Sequence, residues 1–261
     1  IPFWAYIQTS MFEGQRKPTE SDLLWNVNTA LAYGAKGIQY FNGVEPYPET
    51  NTNDIVTRTF TGGLFSANGT PTDIYYYAQK ANMFIQSVDH VLMNSKNIGV
   101  MYSGNLPQFY SVSNGVCTAL DTTANGAEVP TSGTIRHFGN DTSLGYSGGY
   151  GGCYYVDGNV MVGCFNYNGK TAFYVVNNSI TNWGGANLLF TSARTGTIYG
   201  MSGSSAYITN YQSVTAQETN DLTYSCALST TTKGSAFATD YGNKLLLQNL
   251  KPGEAFLVVM D

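Results

Sequence analysis

The sequence predicts an α/β segment followed by an all-β sandwich, with the boundary near residue 95. Three observations lead there. Residues 2–41 read as strand, helix, strand. Residues 69–94 carry a second helical stripe. From Lys96 onward, short β-rich runs alternate with Gly, Asn and Ser turns, and no helical pattern of comparable strength appears.

The elements follow in order. Phe3, Ala5 and Ile7 alternate with Trp4, Tyr6 and Gln8, which is strand periodicity. Thr19 is a good helix N-cap and Asp22 stands at the third position, close to a capping box. Glu20 and Asp22 lie where the positive helix terminus favours carboxylates. Leu23, Leu24, Val27, Ala30 and Leu31 make one apolar stripe, and Gly34 is the stop. Residues 35–41 then form a short second strand, so the pair is predicted parallel with a right-handed crossover. A long polar loop covers about 42–66. The second helix opens at Gly69-Thr-Pro-Thr-Asp73, with Thr70 or Thr72 as cap. It runs to about Asn94 with Ile74, Tyr77, Ala78, Ala81, Phe84, Ile85, Val88, Val91 and Leu92 on one face. The β-rich runs beyond it include 98–102, 152–156, 160–167, 171–177, 187–190, 244–248 and 255–260. Asp157-Gly158 reads as a hairpin turn that would set Cys153 and Cys164 on neighbouring strands.

Composition narrows the function classes. Apolar residues make up 43 %, and no run approaches the roughly 20 apolar residues of a membrane span. Charged residues are only 11 %, with 20 Tyr and 29 Gly beside abundant Asn, Ser and Thr. Such a polar, weakly charged, Tyr-rich surface is common in extracellular carbohydrate-active proteins, so a secreted or cell-surface location is expected. A net charge of −5 with no Lys/Arg cluster speaks against nucleic acid. The cysteines are Cys117, Cys153, Cys164 and Cys226; one disulfide and four small buried hydrophobes are both open readings. With no CxxC and only His90 and His137, both read as structural, no metal site and no cofactor are expected. Asn68, Asn140 and Asn177 each begin an N-glycosylation triplet. The Ile-Pro start reads as a piece of something longer.

Phe3-Trp-Ala-Tyr-Ile-Gln8, Arg16-Lys-Pro-Thr-Glu-Ser-Asp-Leu-Leu-Trp25 and Ala30-Leu-Ala-Tyr-Gly-Ala-Lys-Gly-Ile-Gln-Tyr-Phe41 together carry a resemblance. The segment resembles the last two βα units of clan A glycoside hydrolase barrels, nearest the bacterial family 42 β-galactosidase-like enzymes. The resemblance implies that residues 1–95 are the C-terminal βαβα portion of a (β/α)8 TIM barrel and that 96–261 are a β-sandwich accessory domain. It implies a C-terminal segment of a secreted glycoside hydrolase acting on oligo- or polysaccharide, lining part of the sugar pocket and inactive alone. Its partners would be carbohydrate and either the remainder of the barrel or a second copy of the chain; if the chain stands alone, an oligomer would bury Phe3, Ile7, Ile38 and the helix stripes. A non-catalytic carbohydrate-binding module and a structural surface module are the alternatives.

Active sites of such barrels lie at the C-terminal ends of the strands, and retaining glycosidases pair two carboxylates about 5 Å apart. Where the resemblance implies the nucleophile, this sequence has Gln8, and an amide cannot act as a nucleophilic carboxylate. Glu13 and Glu45, in the loops after the two strands, are the catalytic candidates, with loop solvation as the other reading. Trp4, Gln8, Tyr40 and Asn42 are the substrate-binding candidates. An aromatic face supplies apolar area for a sugar ring, and amides meet its hydroxyls. For Trp4 and Tyr6 a core role stays open beside the ligand role.

Overall fold

The computed structural model describes residues 2–12, 16–53, 55–103, 110–113, 116–119, 136–137, 150–192, 194–201, 205–208, 235–238 and 244–261. In the first third of the chain the elements are β1 (Trp4–Gln8), β2 (Ser10–Phe12), α1 (Glu20–Ala32), β3 (Gly37–Phe41), β4 (Glu49–Thr50), β5 (Val56–Arg58), β6 (Phe60–Gly62) and α2 (Asp73–Leu92). The middle contributes β7 (Ser95–Ser103), β8 (Tyr110–Ser113), β9 (Val116–Ala119), β10 (Arg136–His137), β11 (Cys153–Asp157), β12 (Val160–Tyr167), β13 (Lys170–Asn177) and β14 (Gly184–Phe190). The end contributes β15 (Thr195–Gly200), β16 (Ser205–Ile208), β17 (Ser235–Ala238), β18 (Lys244–Leu250) and β19 (Ala255–Met260).

The structure overturns the barrel-end fold class. The described residues are mostly strand, with two helices among them. Among the named strands of the described residues, parallel pairing is confined to β1 and β3, with one parallel bridge at Val44–Phe65 besides; both large sheets are antiparallel. One sheet has the order β10-β7-β12-β13-β19-β15-β17 and the other β11-β14-β18-β16. The physical reason lies in where the helices bury their stripes. Leu23, Leu24, Val27 and Leu31 of α1 join Ile74, Phe84 and Val88 of α2 in one core with Met161, Phe165, Tyr174 and Leu257 of the seven-stranded sheet. The helices therefore cover the outside of an antiparallel sheet instead of ringing parallel strands. A second core lies between the two sheets and includes Val162, Phe173, Phe190, Leu247 and Val258.

The seven-stranded sheet is thus a middle layer, buried on both faces. Along β13, Ala172, Tyr174 and Val176 face the helices while Phe173 and Val175 face the four-stranded sheet. β19 divides likewise, Leu257 and Val259 to one side, Phe256, Val258 and Met260 to the other.

Helix α1 forms as its sequence dictates. Thr19 is extended at the N-cap, its Oγ1 accepts the Asp22 amide at 3.3 Å, and the Asp22 carboxylate accepts the Thr19 amide at 2.8 Å. Arg16 pairs with the same carboxylate. At the other end Gly34 takes φ +90, a conformation a side chain would strain. Its amide reaches Leu31 O at 2.8 Å and Ala35 N reaches Ala30 O at 3.0 Å, which closes the helix. In α2, Thr72 occupies the N-cap, but its hydroxyl donates to Gly63 O at 2.6 Å, tying the helix start to the preceding loop.

Two local expectations change. The loop over 42–66 is not irregular throughout: β4 pairs with β5, and β6 pairs back onto β2. Asp157-Gly158 does not close a hairpin. β11 pairs with β14 while β12 pairs with β13 and β7, so the chain crosses from one sheet to the other at this point. Gly158 has φ +101 and lies against the Gly185 carbonyl, where no side chain fits.

Candidate functional site

The parallel pair β1–β3 has one buried and one exposed face because strand side chains alternate. Ala5 lies beside Ile38 and Ile7 beside Tyr40; these point toward the helices. Trp4 lies beside Gly37, Tyr6 beside Gln39 and Gln8 beside Phe41, all on the other face. Trp4 is 68 %, Tyr6 69 % and Phe41 51 % exposed, far more than packing aromatics retain. Gly37 seats the indole: a Cβ there would stand 2.6 Å from Trp4 Cδ2, so the ring lies across the neighbouring strand. Along the face, the rows Trp4/Gly37, Tyr6/Gln39 and Gln8/Phe41 succeed one another at about 6.6 Å, two residues of strand rise. Gln8 Nε2 donates to Ser10 O at 2.7 Å, which orients its amide on this surface.

The C-terminal ends of the two strands are tied together. Thr9 N donates to Phe41 O at 2.7 Å, and Thr9 Oγ1 to Asn42 O at 2.7 Å. Asn42 Nδ2 donates to Ser10 Oγ at 3.0 Å. Thr9 and Ser10 are buried, so these bonds act away from bulk water, where they hold geometry best.

The sequence candidates therefore separate. Trp4 and Gln8 share the exposed face. Tyr40 lies on the opposite face, where its hydroxyl donates to Asn82 Oδ1 at 2.9 Å and burial pushes its phenol well above the ordinary tyrosine range. Asn42 acts as a clamp between strand ends. Glu45 is half-buried; its Oε1 accepts the Gly62 amide at 3.2 Å and its own amide reaches Phe65 O at 2.8 Å, so it braces the loop. Glu13 lies outside the described residues. Ile7 and Ile38, expected to need a second copy, are packed against the helices. Phe41 is not among the sequence candidates; alternation sets it with Gln39 opposite Tyr40, and the packing of the helices on the Tyr40 side leaves it at the surface.

What this face can do chemically is stack and hydrogen-bond. It presents flat apolar rings beside neutral amides. Among the described residues no group of three or more His, Cys, Asp or Glu could hold a metal ion, and no helix is long and apolar enough to cross a membrane.

The remaining sequence candidates have structural places. His90 Nε2 meets Tyr199 OH at 3.3 Å, joining α2 to β15. His137 and Asn140 have no described side chains. Asn177 is 1 % exposed and its Nδ2 donates to the carbonyls of Asn182, Leu250 and Lys251, which leaves no room for a glycan on that nitrogen. Asn68 Oδ1 accepts the Thr70 amide at 3.1 Å, forming the turn before α2. Compared with known proteins, the chain matches no protein-family profile, no curated protein and no solved structure.

Proposed function

We propose that this chain is a carbohydrate-contacting part of a secreted glycoside hydrolase, and that the exposed face of β1 and β3 holds oligo- or polysaccharide without cleaving it. The observation that carries this reading is the set of exposed aromatics Trp4, Tyr6 and Phe41 alternating with Gln8 and Gln39 on one side of a pair whose other side is core. Exposed rings at strand spacing offer successive apolar platforms, and the amides between them can exchange bonds with sugar hydroxyls. Gln8 supplies no carboxylate and Glu45 is engaged in its loop, which favours bond cleavage elsewhere in the parent enzyme.

Isothermal titration of the full chain with gluco-, galacto- and xylo-oligosaccharides tests this. Binding to at least one series is expected, with Trp4→Ala and Tyr6→Ala each weakening it about tenfold, the equivalent of roughly 1.4 kcal/mol. Chromogenic glycosides should not be turned over. Unchanged affinity in both variants, or no binding to any series, overturns the reading.

A second reading rests on a separate observation. The outer edges of both β1 and β3 carry no strand among the described residues. Open edges invite further strand pairing, so a second copy or another part of the parent would pair along them and set protein beside the aromatic face. Sedimentation of the full chain separates the two: a dimer that Trp4→Ala dissociates favours coverage by protein.

A further inference from the structure

We propose that Cys153 and Cys164 form a disulfide that staples the two sheets across the sandwich core when the chain folds in the presence of a disulfide oxidant. Both residues are buried, in the same core between the sheets. Three placements bring them together. First, β11 and β12 leave the same corner at Gly158 into opposite sheets; Cys164 stands four rungs along β12 from Val160, and Cys153, past a bulge at Cys153–Tyr155, three rungs along β11 from Asp157. Second, Cys164 is the cross-strand partner of Phe173 and Cys153 that of Phe190. The two phenyl rings meet across the core with centroids 6.3 Å apart, so the cysteines beside them face each other along the same line. Third, Tyr150 exchanges backbone bonds with Cys153 at 3.0 and 2.9 Å. It also crosses to the facing strand, where its hydroxyl donates to Phe165 O, next to Cys164, at 3.1 Å.

A disulfide joins strands whose side chains point at one another, and both cysteine side chains enter this one core from opposite sheets. Burial, with Cys153 close by, pushes the Cys164 thiol well above the ordinary cysteine range. Thiolate, the attacking species, is therefore scarce once the core has closed, and pairing belongs to the folding chain. One cysteine thiolate attacks the oxidant disulfide, releasing one oxidant thiol and leaving a mixed disulfide. The second cysteine thiolate then displaces the other oxidant thiol. One S–S bond forms in the protein, one breaks in the oxidant, and two electrons and two protons pass to the two released thiols.

The test refolds the full chain from denaturant into oxidised and reduced glutathione, alkylates remaining thiols and maps the unreduced peptides by mass spectrometry. A peptide pair joined through Cys153 and Cys164, lighter by two hydrogens, is expected. So is a thermal midpoint that falls on adding reductant, and this fall disappears in Cys153→Ser. A variant with Cys117→Ser and Cys226→Ser, which retains only this pair, should give the same link. Recovery of Cys153 and Cys164 as alkylated thiols, as glutathione adducts, or joined to Cys117 or Cys226 overturns the proposal.

Discussion

Asn28 is a polar residue set into the apolar stripe of α1, and its amide is fully engaged. Tyr174 OH donates to its Oδ1 at 2.7 Å and its Nδ2 donates to Gly253 O at 2.7 Å, so one side chain fixes the helix to β13 and to the turn before β19. Asn28→Ala would strand a buried phenol and a buried carbonyl. With unsatisfied groups costing about 1–3 kcal/mol each, a loss of about 3 kcal/mol is expected. Urea unfolding checks this as a lower midpoint at unchanged slope; a change under about 0.5 kcal/mol would show that water replaces both bonds. The position is legible in the sequence as a polar interruption of a stripe. Its partners are not, because Tyr174 is 146 residues away. The candidate site divides the same way. Alternation separates Trp4, Tyr6 and Gln8 from Ala5 and Ile7 without any structure. Which face the helices cover, and hence that Tyr40 turns inward to Asn82, depends on packing that no local pattern encodes.

The elements that read correctly are those whose signals are local. The Thr19–Asp22 box and the Gly34 stop bound α1 because cap and partner lie within a turn of one another. The corner at Gly158 read as a hairpin because Asp-Gly suits either a return within one sheet or a step to another, and only the distant partners β13 and β14 decide. Lys80 shows how α2 is locked in place. Its ammonium bonds Glu20 Oε1 of α1 at 2.8 Å and Glu254 Oε1, fully buried before β19, at 2.6 Å. Lys80→Met leaves that carboxylate without its counter-ion, and a loss of about 3–5 kcal/mol is expected. Burial by itself lowers the Lys80 ammonium, but Glu254 and then Glu20 outweigh it, and the net shift is upward. The pair's contribution is therefore complete below the unfolded lysine value of about 10.4 and fades as pH rises through the higher folded value. Denaturant midpoints of wild type and Lys80→Met measured from pH 8 to 12 should converge only in the alkaline range. Convergence already at pH 8 would remove the ion pair as the cause.

At the scale of the molecule, the layer order was present in the sequence in one respect. The runs 160–165, 172–176 and 255–260 are apolar at nearly every position, which is how strands covered on both faces read. A sandwich sheet with one face in water would alternate. The cover is α1 and α2, and the local strand–helix–strand order concealed this, since it suggested that the helices serve the parallel pair instead of the sheet. The docking is close: Gly163 of β12 lies directly under the Ala32 backbone, where a Cβ would collide. It follows that residues 96–261 produced alone would present Met161, Phe165, Tyr174, Val176, Leu257 and Val259 to solvent. At about 1.5–3 kcal/mol for each large side chain returned to water, the loss is on the order of 10 kcal/mol, as large as the whole stability of an ordinary domain. The truncated chain should bind a hydrophobic dye, unfold without a cooperative transition and be cut quickly by protease, while the full chain does none of these. Adding residues 1–95 as a separate polypeptide should restore cooperative unfolding in part, because the two share one core. A truncated chain with the full-length midpoint would mean that the helices merely rest on a sheet that is stable without them.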